Sequence, residues 1–250
     1  MERLSKRHPL VLLASVFFLL LLFLAFGLCT FLLSSLAVSP GTPAATPPET
    51  SPIATVILDP GHGGADGGAV GVSGVYEKDL NLSVALGVAA LLREAGVEVI
   101  LTRTEDVLLS GEAAKGHRKE EDLKNRLAVA AAHPDAIFVS IHMNTFSVAK
   151  FSGLQVYSAP TEGSRALAEA IQGTVCRQLQ PTNTRRVQAA GSSIYLLDRA
   201  VGRAVLVECG FLSNPEECRL LSQKDYQSQL CFSIFYGMME YIKSTEGEAP

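Results

Sequence analysis

Apolar residues recur along the chain at spacings that predict strands and helices in turn after residue 54. The consecutive apolar residues Val56, Ile57 and Leu58 predict a strand buried on both faces. Further strands are predicted over 97–102, 136–141, 153–158 and 204–207, helices over 78–95, 122–133, 164–179 and 225–242, and a polar loop over 105–121. This order predicts an α/β fold with a mostly parallel sheet and helices on both faces.

The first 53 residues have a different pattern. The basic stretch 1–9 precedes an almost unbroken apolar run over 10–33, which is long enough to cross a bilayer. The sequence therefore predicts a cytoplasmic N-terminus, a transmembrane signal anchor and a single extracytoplasmic domain over 55–244, joined by the Pro- and Thr-rich linker 39–53. The alternative is a signal peptide cleaved near Ser39, where Pro40 makes a poor cleavage site.

Charge and glycine spacing exclude two classes of protein. A net charge of −4 argues against nucleic-acid binding, which needs a basic surface. The glycine-rich stretch GHGGADGG at 61–68 does not match the spacing of a nucleotide-binding loop. The five cysteines lack C-x-x-C spacing and are predicted to be free thiols, with a Cys209–Cys218 bridge as the alternative.

Ligand-type side chains follow the predicted strands. His62 follows the first strand and a turn, His142 follows 136–141, and Glu208 follows 204–207. Glu77 lies at the start of the first helix of the domain. Because ligands bind at the carboxyl edge of open α/β sheets, these residues are expected to meet there. Two imidazoles and one carboxylate suit a catalytic zinc ion, and the water in its fourth position would give Glu208 a partner.

Each of these residues also has a purely structural interpretation. Glu77 could be a favourable acid at a helix N-terminus, and His142 a capping side chain. Glu208 could pair with Arg103 or Arg126. The other histidines, His8, His117 and His133, lack the context of a strand end. Four ligand-type residues at matching positions favour a shared site over four separate structural roles.

Four sequence blocks resemble the zinc-dependent N-acetylmuramoyl-L-alanine amidases of the amidase-3 type. They are LDPGHGGADGGAVG, the glutamate of YEKDLNLSVA, SIHMN and VLVECGFLSNPEE. The resemblance implies that His62, Glu77 and His142 bind Zn²⁺ and that Glu208 is the catalytic glutamate. Size, N-terminal anchor and loops look closest to the sporulation members (the CwlD type), which act on spore-cortex peptidoglycan. That architecture implies a forespore membrane location with the domain facing the cortex.

The implied reaction is hydrolysis of the amide between the lactyl group of N-acetylmuramic acid and L-alanine. The expected partners are peptidoglycan strands with stem peptides, the membrane, and an activating or zinc-loading protein. Asp59 is expected to orient the loop or a ligand histidine, and Asn144 to contact substrate. For Arg103 and Arg126, salt bridges are favoured over contacts with stem-peptide carboxylates. The alternatives are another zinc hydrolase, such as a carboxypeptidase, or a non-catalytic wall-binding protein.

Overall fold

The computed structural model describes residues 8–36, 52–110 and 118–246. The chain divides into two compact units, Met1–Thr50 and Ser51–Pro250. In chain order the described elements are α1 (His8–Leu36), β1 (Thr55–Pro60), α2 (Glu77–Glu94), β2 (Glu98–Leu101), α3 (Arg118–Ala131), β3 (Ile137–Asn144), β4 (Gln155–Ser158), α4 (Ser164–Gln178), β5 (Gln188–Ala189), α5 (Tyr195–Asp198), β6 (Ala204–Phe211), α6 (Pro215–Leu221) and α7 (Lys224–Glu246).

Helix α1 covers the apolar run of the first unit. Its side chains are described at residue 14 and over 16–30. Within the described residues, no helix is long and apolar enough to cross a membrane. The anchor over 10–33 therefore stays a prediction from the sequence, and residues 39–51 of the predicted linker lie outside the described residues.

The second unit is built on one six-stranded mixed sheet with the strand order β2-β1-β3-β6-β4-β5. All neighbours in this sheet run parallel except β4 and β6, which are antiparallel. The segment 145–154 that joins β3 to β4 contains no helix. Because a parallel return needs a crossover of about a dozen residues or more, this short connection gives β4 the opposite direction.

Successive residues of β1 face opposite sides of the sheet, as the run of apolar residues predicted. Val56 and Leu58 belong to a core formed with α2, α4 and α7, whereas Ile57 belongs to a smaller core on the side of α3 and α5. Both sides of the sheet are thus covered by helices. Asp59 continues the alternation on the α3 side, and this places a carboxylate inside the domain.

The predicted elements are present, with corrections that affect the site. Strand β3 continues to Asn144 and β6 to Phe211, so His142 and Glu208 lie within strands rather than after them. Helix α3 begins at Arg118, so the predicted loop 105–121 ends earlier; residues 111–117 lie outside the described ranges. Three short elements, β5, α5 and α6, were not predicted.

Candidate metal centre

The structure brings together His62, Glu77 and His142 at the carboxyl edge of the sheet. One ligand-type atom from each lies within 4.8 Å of the other two. Glu77 Oε1 is 2.9 Å from His142 Nδ1 and 3.3 Å from His62 Nε2. The two imidazole rings meet edge to face, with centroids 5.0 Å apart. This donor set fits a metal ion that prefers nitrogen and oxygen ligands, and zinc is such an ion.

Glycines make room for these side chains. A Cβ on Gly61 would lie 2.1 Å from the His142 ring, and one on Gly68 would lie 2.5 Å from Glu77 Oε2. His62 has a φ of 60°, and no other non-glycine residue in the described ranges has a positive φ. The glycine-rich loop therefore allows the candidate ligands to approach one another closely.

Glu77 is fixed by contacts that the sequence did not reveal. Its Oε2 accepts a hydrogen bond from the Ala69 amide at 2.8 Å, and its Oε1 accepts one from the Met143 amide at 3.2 Å. The fully buried Asn81 donates to both Glu77 Oε1 and the Gly61 carbonyl. Asn81 lies four residues after Glu77, one turn along α2, and this spacing was the signal available in the sequence.

The carboxylates and imidazoles shift each other's pKa. Burial opposes the charged form of Glu77, but its contacts with His142 and His62 hold its pKa well below the ordinary range. Burial likewise disfavours protonated His62, yet Asp66 and Glu77 raise its pKa to about 9. His62 Nδ1 lies 2.9 Å from Asp66 Oδ2, without the alignment of a hydrogen bond. The site thus attracts positive charge, as a cation site requires.

Glu208 lies beside this group, opposite His142 in the pairing of β3 with β6. The residue is half-buried, and its Oε2 is a buried oxygen without a hydrogen-bond partner among the described residues. Burial raises its pKa to about 7, with Glu77 acting in the same direction and His142 opposing. An unpartnered carboxylate of this kind suits a group that exchanges protons with a bound water.

The arginines do not pair with Glu208. Arg103 donates to the carbonyls of Pro60 and Gly61 at 2.9 and 3.0 Å. Arg126 donates to the carbonyls of Pro60 and His62 at 2.9 and 2.7 Å. Both guanidinium groups therefore hold the backbone that carries His62. The salt bridges that the sequence favoured are present for Arg126, with Asp59 and Asp122, whereas Arg103 has no carboxylate at ion-pair distance among the described residues.

Asp59 belongs to the same buried network. It forms an ion pair with Arg126 at 2.5 Å and accepts hydrogen bonds from Thr102 and Ser140, each at 2.7 Å. Asp122 of α3 binds Arg126 from the other side at 2.7 Å. Of the two roles expected for Asp59, these contacts favour orientation of the loop.

Asn144 is the last residue of β3, half-buried near the site, and its contact with substrate stays a prediction. His133 lies beyond the end of α3 and is not part of the cluster, and His117 lies outside the described residues. Cys209 and Cys218 are buried and are free thiols. The other described cysteines are also free. The alternative of a Cys209–Cys218 bridge is therefore wrong.

A cavity of about 210 Å³ lies next to the candidate ligands on the α3 side of the sheet. His62 and His142 line this cavity together with Lys119 and Tyr195. Two of the three candidate ligands therefore border a space that a ligand could occupy.

A paired-histidine and carboxylate centre beside an unpartnered glutamate defines a candidate metal-dependent hydrolase. Residues 56–240 match the family described as N-acetylmuramoyl-L-alanine amidase, Amidase_3. The match covers most of the chain, and the chain belongs to this family.

The relatives agree with that assignment. The chain is 38% identical over 198 residues to the germination-specific N-acetylmuramoyl-L-alanine amidase of Bacillus subtilis, covering 78% of this chain and 82% of the relative. It is similar to the CwlD amidase of Clostridioides difficile, solved in complex with the GerS lipoprotein, with a TM-score of 0.73, 37% identity, and coverage of 76% of this chain and 99% of that one. The amidase AmiC2 of Nostoc punctiforme gives a TM-score of 0.67 at 31% identity, covering 78% and 99%.

Proposed function

We propose that this N-acetylmuramoyl-L-alanine amidase holds Zn²⁺ through His62, Glu77 and His142. The chain acts on peptidoglycan, and the bond cut is the amide between the lactyl group of N-acetylmuramic acid and L-alanine. The observation that carries the proposal is the convergence of the three donors within 4.8 Å, next to the buried, unpartnered Oε2 of Glu208.

The residues of the chain divide the chemistry between them. When bound, zinc supplies a Lewis acid that polarises the scissile carbonyl and lowers the pKa of water. Glu208 takes the proton from the attacking water and delivers it to the leaving amine of L-alanine. Its pKa of about 7 lets it act in both directions near neutral pH. The backbone contacts of Arg103 and Arg126 keep His62 in place during these steps.

The products of peptidoglycan digestion test the substrate assignment. The zinc-loaded full chain should release whole stem peptides that begin with L-alanine, detected by mass spectrometry. Release of single amino acids instead would identify a carboxypeptidase. Binding of peptidoglycan without any released peptide would identify a wall-binding protein.

The biological setting is a further part of the proposal. Similarity to a germination-specific amidase and to the CwlD amidase supports a role in spore-cortex maturation. In that case, cortex from a strain without the protein lacks muramic-δ-lactam, whereas normal muramic-δ-lactam would place the enzyme in vegetative wall turnover.

A partner and a membrane location complete the proposal. The relative solved with a lipoprotein supports an activating or zinc-loading protein partner for this chain. The apolar run 10–33 and the basic residues before it support an uncleaved anchor with the amidase domain outside the cytoplasm, facing the cortex in a forespore. Alkaline extraction of membranes tests the anchor, because a released protein would contradict it.

A further inference from the structure

Arg185 differs from Arg126, the ion-paired arginine of the candidate centre, in how its charge is matched. It lies in the segment before β5, and its side chain is half-buried. Arg126 and the exposed Arg177 each have a carboxylate at ion-pair distance. In the described part of the chain, no such carboxylate contacts Arg185. Glu217 interacts with the guanidinium only through space: the Arg185 charge opposes the burial that raises the pKa of that carboxyl, whose oxygens accept hydrogen bonds from the Gly153 and Phe211 amides. The guanidinium therefore has no direct ion-pair partner among the described residues.

Several contacts nevertheless hold this guanidinium in one orientation. Arg185 Nε donates to the Ser152 carbonyl at 2.7 Å, and Nη1 donates to Gln155 Oε1 at 2.9 Å. The group lies over the ring of Phe211, 4.5 Å from its centroid, and 5.7 Å from that of Phe151. Gln155 is buried and donates in turn to the Arg186 carbonyl at 3.0 Å. Stacking and these hydrogen bonds preorganise the charge.

The sheet places Arg185 in line with the candidate metal centre. Glu208 pairs with His142 on one side and with Gln155 on the other. Residues directly opposite each other in neighbouring strands project from the same face. His142, Glu208, Gln155 and the Arg185 bound to Gln155 thus form a row across the carboxyl edge of the sheet.

Strand spacing gives the length of this row. Neighbouring strands lie about 4.8 Å apart, so Gln155 is roughly 10 Å from His142 along the sheet. A scissile amide midway between His142 and Glu208 would be roughly 7 Å from Gln155, which an extended peptide covers in about two residues. Tyr157 lies on the same face two residues further along β4, opposite Leu206, and both Glu208 and Arg185 act on it: burial and Glu208 raise the pKa of its phenol, and Arg185 lowers it.

We propose that Arg185 is a specificity-determining residue that binds a carboxylate of the stem peptide, on the residue that follows L-alanine. The inference rests on the proposed function, since it takes the scissile amide to lie between the metal ligands and Glu208. A planar guanidinium with a free edge binds a carboxylate through two parallel hydrogen bonds. Because Arg185 is held by Gln155 at the end of the row, this contact would fix the direction in which the peptide crosses the centre.

The test compares two muramyl dipeptide substrates with the zinc-loaded full chain. Both carry N-acetylmuramoyl-L-alanine; the second residue has a free α-carboxylate in one and an amide in its place in the other. The wild-type protein should cleave the carboxylate form with a kcat/KM roughly tenfold or more higher. Arg185→Gln should lower kcat/KM for the carboxylate form to the value for the amide form, and it should leave kcat/KM for the amide form unchanged.

Two controls separate recognition from folding. Arg177→Gln removes an exposed guanidinium that pairs with Glu240 and should keep the wild-type preference. Arg185→Lys, which keeps the charge but not the fork, should retain part of the preference. Zinc content and thermal unfolding are measured for each variant. An unchanged preference in Arg185→Gln, an equal loss on both substrates, or no preference in the wild type would overturn the inference.

The proposed function can fail separately. If the wild-type protein cleaves neither dipeptide, either the assigned reaction is wrong or the chain needs the activating partner proposed above. Calorimetric binding of the same two dipeptides to wild type and Arg185→Gln then decides the inference: a preference for the carboxylate that Arg185→Gln abolishes supports it, and equal binding of both dipeptides contradicts it.

Discussion

At the scale of single residues, the missing side chain of Gly61 matters for the candidate centre as much as the ligand side chains do. Gly61 precedes His62, and any Cβ there would collide with the His142 ring at 2.1 Å. Neither the ring nor the β1 backbone can move freely, because His142 lies within β3 and contacts Glu77. Gly61 therefore allows the His142 ring to lie close to the loop that carries His62, because it has a hydrogen atom in place of a Cβ.

Gly61→Ala should accordingly weaken zinc binding. Displacement of a ligand or its support typically costs about 10–100-fold in metal affinity, and we expect a loss of that order in competition titrations with a zinc chelator. Gly191→Ala is the matched control, because a Cβ there would come no closer than 3.9 Å to Ser193 Oγ. Equal zinc affinity in the two variants would contradict the account.

Sequence could identify the candidate ligands but not the residues that hold them. His62, Glu77 and His142 stand in distinctive blocks, next to strand ends or a helix start. Asn81 has no such context, since asparagine within a helix usually faces solvent. Only the approach of the β1 loop to α2 turns it into a buried donor to Gly61 and Glu77.

At the scale of elements, α3 is tied to the loop that carries His62 by a buried charge network. Arg126 connects Asp122 of α3 with Asp59 of β1 and with two loop carbonyls. Removal of one partner from a buried network leaves an uncompensated charge, which typically costs about 3–5 kcal/mol. The packing of α3 and the position of His62 are therefore coupled.

Arg126→Met should lower the free energy of unfolding by about 3 kcal/mol or more, because Asp59 would remain buried without its cation. Urea denaturation measures this difference. Arg165→Met removes an exposed partner of Glu169 on α4 and should change stability by less than about 1 kcal/mol. Similar effects of the two substitutions would show that the buried network contributes little.

The same network predicts a dependence on pH. Burial would raise the pKa of Asp59, but Arg126, Ser140 and Thr102 lower it below the ordinary value of 3.8. A carboxyl group with a depressed pKa stabilises the fold above its unfolded pKa and loses that contribution as pH falls through the folded value. Unfolding free energies measured from neutral pH down through 3.8 should fall less steeply in Arg126→Met than in the wild type. Parallel curves would contradict this role of Asp59.

Element order was predictable because strands and helices differ in apolar spacing, as β1 and α2 illustrate. The direction of β4 was not, since it depends on the short segment 145–154 and on the insertion of β6 between β3 and β4. The extent of β3 and β6 was also missed, because His142 and Glu208 interrupt the apolar pattern while the backbone continues to pair.

At the scale of the whole molecule, the domain is held by packing rather than by covalent links. Each described cysteine is a free thiol; Cys209, Cys218 and Cys231 are buried, whereas Cys29 is exposed and Cys176 is half-buried. Burial raises the pKa of Cys209 and Cys231, which further lowers their reactivity.

Maleimide labelling of the native chain should therefore modify Cys176, which lies outside the proposed anchor, and spare Cys209, Cys218 and Cys231, with and without prior reduction. Mass spectrometry of tryptic peptides locates the label, and the same reaction in urea should reach all four cysteines of the domain. New labelling of Cys209 and Cys218 after reduction alone would reveal a disulfide and contradict the structure.

The two carboxylates of the site have different proposed roles: Glu77 binds the metal ion, and Glu208 transfers the proton. Zinc content, measured together with peptide release from peptidoglycan, tests these roles most directly in wild type, Glu77→Gln and Glu208→Gln. We predict that Glu77→Gln loses zinc and activity together. Glu208→Gln should keep wild-type zinc content but release peptide at a rate that is lower by a factor of roughly 100 or more. Wild-type activity in Glu208→Gln, or full zinc content in an active Glu77→Gln, would contradict the account.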